Sequence, residues 1–175
     1  MIEQYSEFAS RLNRLGSGDC AALRRSAGNM LEHADGRALT AFYRCLPNNI
    51  PAYQEEKWFA IACLRFLWDA GDEERESLPE LLRNMRSQGL LSDSVVHRVE
   101  ILLDTPWDQD GYMLKKLYRL ITLVRQKNGA ETFSFAELLD DLLKWNREDQ
   151  QIQRKWARTI FGTKLSEEGE EYHAD

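Results

Sequence analysis

A chain of 175 residues with 43% apolar and 30% charged side chains has the size and mix of one globular domain, large enough to need neither a disulfide nor a structural metal. Its net charge of −6 argues against a uniformly basic nucleic-acid binder, and its longest apolar run, Trp58 to Leu64, falls far short of a bilayer span, which takes about 20 residues. Cys20, Cys45 and Cys63 lie far apart with no CxxC pair, so the sequence excludes a disulfide scaffold and reads as three buried free thiols in a reducing compartment.

The start Met-Ile-Glu-Gln-Tyr has neither a cationic lead nor an apolar signal core, so a cytoplasmic protein with no membrane partner is expected. Residues 2–15 then space Ile2, Tyr5, Phe8, Leu12 and Leu15 by threes and fours, the stripe of an amphipathic helix. Gly16-Ser17-Gly18 breaks it, and Ser17 or Asp19 can cap a second helix that carries Arg24 and Arg25 and frays near Gly28. A short helix from about Arg37 to Leu46 follows, then a loop from Pro47 to Pro51. The stretch from about Pro51 to Ala70 is the most apolar and is expected to form the central core helix, ended by Gly71.

Asp72 to Glu76 reads as a charged loop. Pro79 suits the first turn of a helix to about Gln88, stopped by Gly89. Ser92 and Ser94 precede a helix through Leu103, and Pro106 to Gly111 is a loop. A longer helix covers Tyr112 to Lys127 and ends at Asn128-Gly129. Ser134, with Glu137 three residues on, caps another through Trp145. The last helix runs from about Arg147 to Phe161, with Gly162 just after it. No alternating β pattern persists and no internal repeat is visible. The expectation is an all-α, compact multi-helix bundle of about eight to nine helices. It would form one domain over residues 1–162, followed by an acidic, mobile tail over 163–175.

Catalytic and metal motifs are missing. His33, His97 and His173 share no ligand spacing with Cys or carboxylates, and HExxH, GxGxxG and GxSxG do not occur. The neighbours Glu55-Glu56 and Asp140-Asp141 would lie about 100° apart on a helix, so they read as solvated surface acids. His97, beside Val96 and Val99, reads as a partly buried polar group. No enzyme activity, cofactor or metal is expected.

The net charge hides a segregation. Residues 113–166 hold 11 Lys/Arg against 6 Asp/Glu, whereas the tail carries Glu167, Glu168, Glu170, Glu171 and Asp175. In the last helix Arg147, Arg154 and Arg158 fall within roughly 40° of one another, with Gln151 on the same line and Lys155 on its flank. Ile152, Trp156 and Ile160 lie opposite, so all three cations Arg154, Lys155 and Arg158 are expected to be removable without loss of fold. A second set is Lys115 and Arg119, four apart, with Lys116 beside them; a third is Arg24, Arg25 and Arg44. Such ridges suit a phosphate backbone, where each contact releases counterions and Arg offers paired donors. They equally suit a solvated face on which Arg147 and Arg154 pair with Glu148 or Glu137. Spacing leaves both readings open.

Four segments carry a resemblance. Gly18-Asp19-Cys20-Ala21-Ala22-Leu23-Arg24-Arg25 is similar to the G-x-x-A-x-L-R-R signature of CasB-type proteins, the small subunits of the type I-E CRISPR Cascade surveillance complex. Ala41-Phe42-Tyr43-Arg44 resembles that family's A-F-Y-R segment, and Leu117-Tyr118-Arg119-Leu120-Ile121 its later L-x-R-L-L helix. Leu142-Leu143-Lys144-Trp145 with Ile152-Gln153-Arg154-Lys155-Trp156-Ala157-Arg158 resembles its closing helices. The match runs over roughly residues 10–162, in order and in register.

The resemblance implies an all-helical, non-enzymatic protein. It implies as partners guide RNA, target DNA with its displaced non-target strand, the Cascade backbone and large subunits, and a second copy of itself. The role implied is stabilisation of the R-loop during antiviral defence, with cleavage left to a separately recruited nuclease-helicase. By the same resemblance Arg24, Arg25, Arg44, Arg119, Arg154, Lys155 and Arg158 become candidates for phosphate contact; Lys115, Lys116 and Arg147 join them by spacing alone. The acidic tail is outside the resemblance, as either a local addition or a competitor for the basic ridge. The alternative reading is a helical protein–protein adaptor without a nucleic-acid role.

Overall fold

The structure is a computed structural model that describes residues 2–68, 75–128 and 132–162. The expected stops at Gly71 and Gly129, most of the Asp72–Glu76 loop and the acidic tail lie outside those residues. Among the described residues the chain forms nine α-helices and one 3₁₀ turn, with no strand. In chain order these are α1 (Ile2–Leu12), α2 (Ser17–Arg25), the 3₁₀ turn Leu31–His33, α3 (Gly36–Cys45), α4 (Ala52–Arg65) and α5 (Leu78–Ser87). Then come α6 (Asp93–Leu103), α7 (Tyr112–Asn128), α8 (Phe135–Leu143) and α9 (Gln151–Phe161). The expected all-α bundle is what forms.

Side chains set several of the starts. Asp35 accepts from the backbone N–H groups of Arg37 and Ala38 and so begins α3. Ser77 and Glu80 cap α5 reciprocally: the Ser77 hydroxyl takes the Glu80 N–H, and the Glu80 carboxylate takes the Ser77 N–H at 2.9 Å. Ser134 accepts from Glu137 N–H at the start of α8, as its spacing predicts.

The central helix is α4. Every residue from Trp58 to Arg65 is buried, and α4 packs against α2 and α8. Phe8 meets Trp58 edge-on at 5.0 Å, and Phe42 meets Phe59 edge-on at 5.3 Å. A second aromatic nucleus joins Trp145 to Trp156 at 5.2 Å and 82°. Edge-to-face pairs of this kind add about 0.5–1.5 kcal/mol beyond their buried area. Arg65 is buried among these helices and donates to Asn13 Oδ1 at 2.8 Å, tying α4 to the end of α1. Cys45 and Cys63 are buried free thiols, and burial pushes both upward. Cys20 departs from expectation: it is only half-buried. No helix among the described residues is long and apolar enough to cross a membrane.

One boundary differs in a way that matters. The last helix begins at Gln151, four residues later than the pattern predicts, and Gln150 before it takes a left-handed φ of 50°. The intervening turn is pinned from a distance. Asn146 accepts the Trp107 N–H at 2.8 Å and donates to the Trp107 carbonyl at 2.7 Å. Gln153 then reaches back to the Trp145 carbonyl at 2.7 Å. Contacts across 39 residues leave no local trace in sequence, which is why helical periodicity continues through a segment that turns.

Candidate nucleic-acid interface

On α9, Ile152, Trp156 and Ile160 are buried while Gln151, Arg154 and Arg158 are exposed. That is the two-faced helix its spacing predicts. Arg154 and Arg158 make no ion pair among the described residues. They border a shallow groove together with Gln151, Ile152 and Lys155.

Lys155 is committed elsewhere. Its Nζ lies 3.0 Å from Asp141 Oδ1, and Asp141 is only 2% exposed. The other oxygen of that carboxylate accepts the Trp156 Nε1–H at 2.7 Å. The expectation that Asp141 is a solvated acid, and that Lys155 can be removed without structural consequence, is therefore corrected: an indole N–H buried in the core needs an acceptor, and the acceptor's charge needs a cation at its mouth. Replacing Asp141 by Ala should cost about 2 kcal/mol by stranding the indole N–H, lowering the thermal midpoint by roughly 4–8 °C. Asp141→Asn, which keeps an acceptor oxygen, should cost less. Thermal unfolding followed by circular dichroism measures both.

Arg147 leaves the ridge. It sits in the turn before α9, 3.8 Å from Asp149, so its helical alignment with Arg154 does not exist. The α2–α3 set is also largely occupied. Arg44 and Arg37 both bond Asp19, at 2.5 and 2.8 Å. The hydrogen bond from Arg37, then that from Arg44, holds the Asp19 carboxyl below the ordinary carboxylate range. Arg24 donates from Nε to the Phe66 carbonyl at 2.8 Å, closing the end of α4, and Arg25 lies 4.0 Å from Asp35. These cations mainly staple α2, α3 and α4 together.

On α7, Lys115 and Arg119 are exposed one turn apart and make no ion pair among the described residues. Lys116 places its Nζ 5.6 Å from the centre of the exposed Tyr112 ring. His97 is corrected too: it is exposed and lies 3.2 Å from Glu100.

Sequence reasoning missed two cations that the fold brings to α9. Helix α5 packs along α9 and carries Arg83 and Arg86. Arg86 donates to the Ile160 carbonyl at 3.2 Å and covers the Phe161 ring at 5.4 Å. With Asn84, Ser87, Ile160 and Gly162 the two arginines line a second shallow groove. Glu80 is held below the ordinary carboxylate range chiefly by the Ser77 hydrogen bonds, and further by both Arg83 and Lys155. One cation of α5 and one of α9 thus act on the same carboxylate. Arg83 and Arg86 are three apart on a single helical face; that spacing was visible, but not the pairing of α5 with α9. Among the described residues no group of three or more His, Cys, Asp or Glu could hold a metal ion.

The family described as CRISPR-associated protein Cse2 has a sequence profile that matches residues 19–161. The chain belongs to the Cse2 family. The match takes in every α5, α7 and α9 cation described above and stops at Phe161, before the acidic tail. A CRISPR-associated protein Cse2 of Thermus thermophilus is 32% identical over 115 residues, which are 66% of this chain and 62% of that relative's length. The crystal structure of CasB from Thermus thermophilus superposes with a TM-score of 0.71 at 27% identity, covering 90% of this chain and 97% of that one. A chain of a structure described as a CRISPR RNA-guided surveillance complex has a TM-score of 0.67 at 21% identity over 90% and 89% of the two chains, a likeness of fold. The CasB resemblance read from the four segments is thereby borne out at the level of the family.

Proposed function

We propose that this Cse2-family chain is a non-enzymatic small subunit of a type I-E CRISPR Cascade complex that contacts the backbones of guide RNA and displaced target DNA and stabilises the R-loop. The observation that carries this is the set Arg154, Arg158 and Arg83, cations on two packed helices with no ion pair among the described residues. Guanidinium groups without an ion pair among the described residues, set beside shallow grooves, suit a polyanion bound by its phosphates, with no base reading required. Lys115 and Arg119 on α7 supply further contacts of the same kind. Replacing a DNA duplex by an RNA–DNA hybrid is nearly neutral in energy, so a few backbone contacts can tip it. Each contact is weak alone and adds up inside an assembly by effective concentration. The likeness of fold to a surveillance-complex chain supports this setting, as do the free thiols, which suit the cytoplasm. A second copy of the chain and the backbone and large subunits would complete the partners.

The test is purification of tagged chain from its own host with analysis of what accompanies it. Guide RNA together with backbone and large subunits is the expected result. Recovery of the chain without guide RNA, in cells that express the other subunits, would overturn the reading.

A further inference from the structure

We propose that the groove cations of α5 and α9 are also a docking surface for the chain's own acidic segment, Glu167 to Glu171, which competes there with nucleic acid. This rests on the reading of those cations as the nucleic-acid contact. The first observation is position. The groove that holds Arg83 and Arg86 is also lined by Gly162, and the acidic segment begins five residues further on. Five residues reach up to about 17 Å when extended. Eight residues of helix, the separation of Arg154 from Gly162, rise only about 12 Å. Arg158 lies one turn before Gly162, and Arg83 and Arg86 line the same groove as Gly162, so the segment is long enough to reach these arginines.

The second observation is charge. Glu167, Glu168, Glu170 and Glu171 fall within five residues, and the two grooves offer Arg83, Arg86, Arg154 and Arg158. A segment tethered at the mouth of its site competes at a millimolar effective concentration. It need not bind tightly to weaken a loosely held strand, while a strand held at many points inside an assembly would displace it. The tail thus acts as a filter: it suppresses stray binding of nucleic acid by the lone subunit and yields once other contacts hold the strand in place.

The test compares the full chain with the variant Glu167→Gln, Glu168→Gln, Glu170→Gln, Glu171→Gln. The probe is a fluorescent oligothymidylate, followed by anisotropy at about 50 mM salt and above. The variant should bind roughly three- to tenfold more tightly at low salt, and the difference should fade as salt rises. In an Arg83→Ala, Arg154→Ala, Arg158→Ala background, which keeps only the Arg86 that holds the Ile160 carbonyl, the same four changes should give a clearly smaller gain. Equal affinity of the full chain and the four-Gln variant overturns the proposal and leaves the nucleic-acid reading standing. An undiminished gain in that background also overturns it, because the tail would then act as diffuse charge and not by docking. No binding by either chain at any salt overturns the competition, because the lone subunit then has no binding for the tail to suppress; failure to co-purify with guide RNA is what overturns the underlying reading.

Discussion

Changing Arg154 and Arg158 together to alanine should weaken binding of target DNA by the assembled complex roughly ten- to hundredfold at low salt, and leave the fold intact. Both side chains project from the solvent side of α9, opposite Ile152, Trp156 and Ile160, so neither supports the core. Each charge-assisted contact to phosphate is worth about 1.5–3 kcal/mol, although a strand that shifts onto neighbouring cations recovers part of that. Counterion release gives the more diagnostic readout. Two lost phosphate contacts should flatten the dependence of log affinity on log salt by about 1.4 for a single strand. Titration at several salt concentrations, beside a thermal melt of the free subunit, measures both. Unchanged affinity and slope would remove α9 from the interface. Lys155 must be kept out of this variant, since its loss would leave the buried Asp141 carboxylate without a cation and mix stability with binding.

The Gly28→Ala variant should lose about 3 kcal/mol of stability, a fall of roughly 6–12 °C in the thermal midpoint. Gly28 follows α2 with φ of +83°, a region that L side chains occupy at a cost. It is also buried, and a Cβ placed there would come within 2.8 Å of Cγ of Tyr118. The ring cannot retreat without moving α7, the helix that carries Lys115 and Arg119. Gly89 is the matched control: its φ is +71°, but nothing lies within 4 Å of the added Cβ. Gly89→Ala should therefore show the backbone cost alone, about 1 kcal/mol. Equal losses at the two positions would show that the Tyr118 contact carries no energy.

The helices were legible because their apolar spacing and their capping residues are local. Phe8 and Leu12, Leu39 and Phe42, or Met113, Leu117 and Leu120 mark a face wherever the partner helix lies. The Ser134–Glu137 cap is legible for the same reason, and the reciprocal Ser77–Glu80 cap, which shares its helix start with Pro79, is equally local. The cations were less legible because a basic side chain looks the same whether it faces solvent, an acid or a carbonyl. Arg44 is spent on Asp19, 25 residues earlier, and Arg24 on the Phe66 carbonyl, 42 residues later. Arg147 reads as part of a helix until Asn146 is seen to clamp Trp107.

By itself, then, the chain's order of residues determined an all-helical fold, its central apolar helix, its family and the solvent-facing pair Arg154 and Arg158. Periodicity and short motifs are properties of neighbours in sequence, and they survive without knowledge of what packs on what. Only the tertiary structure decided which cations remain without an acid. It joined Arg83 and Arg86 to α9, withdrew Lys155 into a bond with buried Asp141, and paired the exposed α2–α3 arginines with Asp19, Asp35 and the Phe66 carbonyl. Charge acts through space, so the partner that neutralises or spares a cation is chosen by the packing of helices.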